Sequence, residues 1–334
     1  VTPPHRLDIG EGVTGVADLL EEIARIYGYE MIPETRMADE LPPQLGNASL
    51  EKEVRLQDLL VDIGLQEVVN YRLTSQEREA RLGFSGEVEG GKPYVRLANP
   101  IASDRDVLRH SLLSSVMEVL ERNARVEQRM VLFEIGPVFI PASESELPQE
   151  LSRLAIAMTG PRSLPFWESQ DSSAMDFYDM KGVLNELFRG LRIKGLHFEP
   201  GESPTYHSGK CALVSVNGGA LGYMGELHPL VRERYDLPET PVVAAELDLE
   251  KILENIPDKY EVRPVPAYPP VLEDLAIIVD ESIPAEGVLE VVKEAGGSTL
   301  VDVRLFDVYR GEQIGEGKKS LAYSLSYQAP DRTL

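Results

Sequence analysis

The sequence predicts an α+β fold, and three observations carry the prediction. Strand-like alternation and helix-period stretches follow one another without a regular strand-helix-strand rhythm, which argues for helices packed on an antiparallel sheet. Two proline-rich segments, IPETRMADELPPQL at 32–45 and PDKYEVRPVPAYPP at 257–270, divide the chain. With 334 residues, 43% hydrophobic and 27% charged, there is material for two or three domains, each with its own core.

Residues 17–29, ADLLEEIARIYGY, place Leu19, Leu20, Ile23, Ile26 and Tyr27 on one helix face. Asp18 and Glu21 have the spacing of a capping box, and Gly28 is a stop signal. A second helix is expected from about Ser49 to Ile63, with Leu56, Leu59, Leu60 and Ile63 inward and Gly64 past its end. GLQEVVNYRLTS then alternates as a strand, and Ser75 caps a short helix reaching about Leu82. A long helix is predicted from Arg109 to Arg125, followed by RMVLFEIGPVFIP as a strand entering a hairpin. LSRLAIAMTG, CALVSVNG and ALGYMGELH read as further strands, with DFYDMKGVLNELFRGL a helix among them. Beyond the second proline-rich segment come a strand (DLAIIVD), a helix (IPAEGVLEVVKEAGG) and two strands (STLVDVRLFDVYR and KKSLAYSLSYQ). That order is a partial ferredoxin-like βαββ unit, which leaves the first strand's outer edge and part of one sheet face without cover.

Composition limits the chemistry. The 33 basic and 56 acidic residues give a net charge of −23, so binding nucleic acid by bulk charge is excluded, although a few clustered bases suffice for local phosphate contacts. No apolar run approaches the roughly 20 residues of a membrane helix, and no signal peptide is visible. The single Cys211 fits a reducing, cytoplasmic setting. Starting on Val1 and stopping at Leu334 just after a strand-like run, the sequence reads as an excerpt of a longer polypeptide.

No phosphate loop GxxxxGK[ST] and no GxGxxG after a strand occurs, and His5, His110, His197, His207 and His228 sit in unrelated segments. Asp8, Asp18, Glu21 and Glu22 have the oxygen chemistry of a hard-cation site, but acids near a helix start are also favoured by the helix dipole alone. Arg310, Lys318, Lys319 and Arg332 flank the last two strands, as a phosphate-contacting cluster or as a solvated hairpin. Tyr323 and Tyr327 share a strand face, as sheet core or as a stacking platform. Trp167 with Phe166, and Phe177 with Tyr178, read as core or interface anchors.

Several collinear stretches together resemble one family, the β subunit of bacterial phenylalanine-tRNA ligase. HRLDI and ADLLEEIARIYGYEMIPE resemble the end of the small domain before its catalytic-like module. NPIASDRDVLRHSLL, VLFEIGPVF, FYDMKG and LGYMGELHP resemble that module. YPPVLEDLAIIVD and VRLFDVYRGEQIGEGKKSLAYSLSYQAPDRTL resemble the ferredoxin-fold anticodon-binding domain.

The resemblance implies three parts: the end of a small helical domain at 1–40, an inactive class II synthetase-like sheet with flanking helices at 41–257, and a truncated anticodon-binding domain at 258–334. It implies an (αβ)₂ heterotetramer in which the α subunit joins phenylalanine to tRNA(Phe) with ATP and Mg²⁺. The β portion then scaffolds the α subunit and helps to bind tRNA, without catalytic residues of its own. The family's small domain supplies two Asp and two Glu to a shared Mg²⁺, which implies Asp8, Asp18, Glu21 and Glu22 as ligands, and Arg310, Lys318, Lys319 and Arg332 become tRNA contacts. Three departures stand out: Pro137 occupies a position where relatives commonly carry Arg, the loop SESELPQE that follows is acidic, and Glu273 replaces an Arg frequent in relatives. Other classes of function remain open beside this one, namely an autonomous class II-like adenylating enzyme and a protein-interaction module without an RNA role.

Overall fold

Helix α1, Gly12–Tyr27, begins six residues ahead of the predicted capping box, with Glu11 as its N-cap and no side-chain cap. Asp18 instead turns back along the helix, its Oδ2 accepting the Gly10 N–H at 2.7 Å. Asp18, Glu21 and Glu22 are therefore mid-helix residues, and the helix dipole does not account for them. Gly28, at φ 102°, ends the helix as expected. The apolar stripe is real but faces outward, with Val13, Val16, Leu20, Ile23, Ile26 and Tyr27 all exposed. The computed structural model describes residues 8–35, 45–83, 93–142, 147–164, 167–168, 171–259, 262 and 265–334. His5, Phe166, the centre of the first proline-rich segment and the start of the acidic loop at 143–146 lie outside them.

The chain divides into two compact units, Val1–Ile256 and Pro257–Leu334. In the first, Asn47 caps α2, Ala48–Ile63, by accepting the Leu50 N–H at 3.1 Å, and Gly64 closes it in the left-handed region. The predicted strand over 64–75 is reduced to two short pieces, β1 (Gln66–Glu67) and β2 (Leu73–Thr74), and between them Val68 N–H still bonds Phe133 O while Asn70 turns its amide to the Glu134 carboxylate. Ser75 caps α3, Gln76–Ala80. After β3, Val107–Leu108, helix α4 runs only over Leu113–Asn123. The predicted start at Arg109 fails because buried carboxylates hold residues 109–112, as described below.

The hairpin strands β4 (Met130–Ile140) and β5 (Gln149–Thr159) appear as predicted, followed by α5 (Phe177–Gly190) with a complete capping box between Asp176 and Asp179. Then come β6 (Leu196–Pro200), β7 (Tyr206–Val216), β8 (Gly219–Leu227), α6 (Pro229–Arg234), β9 (Val242–Asp248) and α7 (Leu249–Glu254). Seven strands form one sheet in the order β1-β4-β5-β9-β8-β7-β6, antiparallel throughout except for β1 on β4. Strand alternation supplies both faces of this sheet. Phe133, Ile156 and Val243 point into a core with Leu56 and Leu60 of α2, Leu184 and Phe188 of α5 and Ile252 of α7. Leu132, Ala157 and Ala244 point the other way, against Val116, Met117 and Leu120 of α4 and Val231 of α6.

In the second unit β10 (Val271–Asp280), α8 (Ala285–Gly296), β11 (Leu300–Tyr309) and β12 (Lys318–Tyr327) form a three-stranded antiparallel sheet ordered β10-β12-β11 under one helix. Leu321, Tyr323 and Leu325 meet Val288 and Val292 of α8. Tyr323 is core, its hydroxyl donating to Ala285 O at 2.9 Å, and Tyr327 packs at the edge of the same cluster. Leu275, on the covered face, is 38% exposed, and the outer edge of β10 has no strand partner among the described residues. The opposite face is paved by Ser320, Ala322, Ser324 and Ser326, with Tyr309 and Ile278 exposed beside them.

Candidate functional site

In the first unit, residues 109–112 ahead of α4 are fixed by two buried acids, Glu134 and Glu79, and by the half-buried Glu246. Arg109 donates from Nη1 to Glu134 Oε1 at 2.8 Å and from Nε to Pro137 O at 3.0 Å, with both ion-pair side chains 2% exposed. Glu134 also accepts the Asn70 N–H at 3.3 Å and the Asn70 amide at 2.8 Å. Gly136 makes room for this: a Cβ there would lie 2.6 Å from Arg109 Nη2. Glu246 accepts Ser111 Oγ–H at 2.6 Å and the N–H of Leu112, the N-cap of α4, at 2.8 Å.

Glu79 completes the arrangement, accepting the His110 N–H at 2.9 Å, the Ser111 N–H at 3.2 Å and the Tyr94 hydroxyl at 2.8 Å. Burial raises its carboxyl to about 7, against the three hydrogen bonds that favour the charged form. Burial likewise raises Glu246, while hydrogen bonds from Ser111 and Leu112 oppose it. The His110 ring stacks on Tyr94 at 3.9 Å, and its two buried nitrogens have no hydrogen-bond partner among the described residues. Desolvation lowers its pKa to about 4, so this imidazole is neutral at pH 7. Chemically, the face is closed on itself: Arg109 is held by Glu134 and Arg153 by Asp248 at 2.7 Å, so neither guanidinium is free for a triphosphate.

The four residues expected to hold Mg²⁺ are not assembled for it in this chain. Asp18 accepts from Gly10, Glu22 pairs with Arg25 at 2.6 Å, and among the described residues no group of three or more His, Cys, Asp or Glu is placed to bind a metal. Glu21 is exposed on α1, and Asp8 precedes the helix.

The basic residues of the second unit separate into two places. Arg310, Lys318 and Lys319 meet at one corner of the sheet, where β11 ends and β12 begins. Arg332 follows the far end of β12, about 30 Å of strand away, and pairs with Asp331 at 3.3 Å. Lys319 is 8% exposed and donates from Nζ to Glu281 O at 2.8 Å, a structural strut and not a surface charge. The Arg310 guanidinium grips Glu281 at 2.8 to 3.1 Å and holds that carboxyl below its usual range. Lys318 is exposed on the rim of an open dish of 360 Å³ that Arg310, Glu281, Glu312 and Glu316 also line.

Sequence patterning missed Glu79, Glu134 and Glu246. The available signal was a carboxylate inside an otherwise apolar strand, as in MVLFEIG and VVAAELD, because a buried acid demands a partner.

Known proteins fit both units. The family described as "Phenylalanyl tRNA synthetase beta chain CLM domain" matches residues 32–249. The chain belongs to that family. A second family, the ferredoxin-fold anticodon binding domain, matches 266–334. The phenylalanine–tRNA ligase beta subunit of Geobacillus kaustophilus is 37% identical over 95% of this chain and 39% of its own length. That of Symbiobacterium thermophilum is 38% identical over the whole of this chain and 37% of its own. The chain thus spans about two fifths of the length of these curated relatives. A solved pyrrolysyl-tRNA synthetase from Desulfitobacterium hafniense superposes with a TM-score of 0.47 at 16% identity, over 61% of this chain and 65% of that one. Among the described residues no helix is long and apolar enough to cross a membrane.

Proposed function

We propose that this chain is the non-catalytic, C-terminal portion of a phenylalanine-tRNA ligase β subunit, which scaffolds the catalytic α subunit in an (αβ)₂ assembly and contributes to binding tRNA(Phe). The observation that carries it is the succession, in one chain, of a beta-chain family match over 32–249 and an anticodon-binding match over 266–334. The division into 1–40, 41–257 and 258–334 belongs to the same proposal. ATP is consumed on the α subunit, and the sealed Arg109–Glu134 pair supports the absence of chemistry here. Mg²⁺ shared with the α subunit at Asp8, Asp18, Glu21 and Glu22 belongs to the same proposal, with Asp18 and Glu22 exchanging their present contacts to Gly10 and Arg25 for the ion. For RNA, Lys318 and Arg310 supply charge at the sheet corner and Arg332 a separate contact, while Lys319 holds the corner in shape. The bare sheet face with exposed Tyr309 adds a surface on which an unpaired base can stack.

Two assays test the proposal. The purified chain should show no ATP-pyrophosphate exchange; exchange by the chain alone would favour an autonomous adenylating enzyme. An anticodon stem-loop of tRNA(Phe) should bind with an affinity that falls as salt rises, and Lys318→Glu should weaken it. Binding that ignores both salt and Lys318→Glu would favour a protein-interaction module without an RNA role.

A further inference from the structure

The β7–β8 hairpin closes through Asn217 and Gly218, a two-residue turn between the paired Val216 and Gly219. Both central residues have positive φ, 51° at Asn217 and 81° at Gly218, as in the type I′ turn that matches strand twist. Asn217 is the one asparagine of the chain that is followed by glycine, and both residues are exposed. A Cβ added at Gly218 would meet nothing within 4 Å, so that side of the turn is open to solvent. Two bonds tie the turn to the body: Asn217 N–H donates to Gly195 O at 3.1 Å, and Asn217 Nδ2 donates to Asn255 Oδ1 at 3.1 Å. Asn255 itself donates from Nδ2 to Lys251 O at 2.9 Å, which keeps its carbonyl oxygen towards Asn217.

An asparagine side chain is open to attack by the backbone nitrogen of the next residue, and glycine, with no side chain, hinders that attack least. Closing the five-membered ring sets ψ of the asparagine near roughly −120°, the value of the first central residue in a type II′ turn. That residue also has positive φ, so the 51° of Asn217 is already in place. What must change is the plane of the 217–218 peptide and the sign of φ at Gly218, and glycine allows both signs without steric cost. Against the reaction stands the bond from the leaving amide to Asn255.

We propose that Asn217 is a site of spontaneous deamidation, with water as the co-reactant. The Gly218 nitrogen bonds to Asn217 Cγ as its proton passes to solvent hydroxide, the Cγ–Nδ2 bond breaks, and ammonia departs to leave a succinimide. Water then opens the ring at either carbonyl, giving aspartate or isoaspartate with no oxidation or reduction. Aspartate sets a carboxylate against Asn255 Oδ1 in place of a donor, and isoaspartate adds a carbon to the backbone of a two-residue turn. Either product loosens the corner that joins the hairpin, Gly195 and the end of α7. The test is a tryptic map of the folded chain sampled during incubation at pH 8. Fragment 211–232 holds Asn217 as its sole asparagine and has no glutamine, so a one-dalton gain there reports this site. It should convert faster than every other asparagine-bearing fragment. Asn255→Ala, which frees the leaving amide, should speed the conversion about fivefold, the factor of a typical net hydrogen bond. If fragment 211–232 keeps its mass, or converts no faster than the others, the site is overturned. An Asn255→Ala rate at or below that of the parent would overturn the restraint assigned to Asn255.

Discussion

Replacing Glu79 with glutamine isolates the cost of one buried proton site. In the folded chain this carboxyl titrates near 7, against 4.5 as the ordinary value, because burial disfavours its charge. A raised acid keeps its proton in the folded state over a range where the unfolded chain has already lost it. The stability it confers is therefore complete below about 4.5 and declines as pH rises towards about 7. The separation of about 2.5 pH units, at about 1.4 kcal/mol per unit, makes the total about 3 kcal/mol, of which about 2–3 kcal/mol is lost between pH 5 and pH 8. In Glu79→Gln the new amide retains an oxygen for the His110 and Ser111 N–H groups and offers Tyr94 an N–H, but does not titrate. Urea unfolding of parent and variant, followed by far-ultraviolet circular dichroism from pH 5 to pH 8, gives their difference directly. The variant should gain on the parent by about 2–3 kcal/mol across that range. A difference that stays flat within about 0.5 kcal/mol would show that Glu79 is ionised throughout and refute the reasoning.

Other outcomes follow from the same packing. Glu134→Ala leaves the Arg109 guanidinium buried and unpaired and should cost about 3–5 kcal/mol in urea unfolding, whereas replacing both partners with apolar residues should recover most of it. Gly136→Ala places a methyl against Arg109 Nη2 and should destabilise by about 1–3 kcal/mol, measured in the same way. At the sheet corner, Lys319→Met removes the donor to Glu281 O and should lower the stability of the second unit by about 1–3 kcal/mol in thermal melting. Lys318→Ala should leave melting unchanged and reduce the salt slope of stem-loop binding by about 0.7–0.9.

The elements legible in the sequence are those whose partners lie close by or repeat with a fixed period. Leu56 and Leu60 with a Gly64 stop define α2, and alternation in RMVLFEIGPVFIP defines β4. The non-helical path of residues 109–112 is not legible because what keeps them out of the helix is remote: Glu134 lies 25 positions away from Arg109 and Glu246 lies 135 from Ser111. A local pattern of Leu, Ser and Val carries no trace of such anchors. The start of α1 misleads for a related reason. Asp18 and Glu21 have the spacing of a cap, but Gly12 to Ala17 also sustain a helix, and Asp18 then bonds to Gly10. In the second unit, charge alone groups four basic residues, whereas strand direction puts Arg332 at the far end and the pleat turns Lys319 inward beside outward Lys318. Strand β9 is hard to read because VVAAELD is short and flanked by no strong turn signal on its C-terminal side, where Asp248 caps α7 at once.

In the proposed assembly the seven-stranded unit is the scaffold, with Arg109 and Arg153 on its sheet held by Glu134 and Asp248. Gel filtration with multi-angle light scattering, on the chain alone and then with the matching α subunit, measures whether the two associate. A co-eluting complex with a mass that is a whole number of α plus chain pairs is the predicted result. Separate elution of the two at micromolar concentration, with the chain folded by circular dichroism, would contradict it.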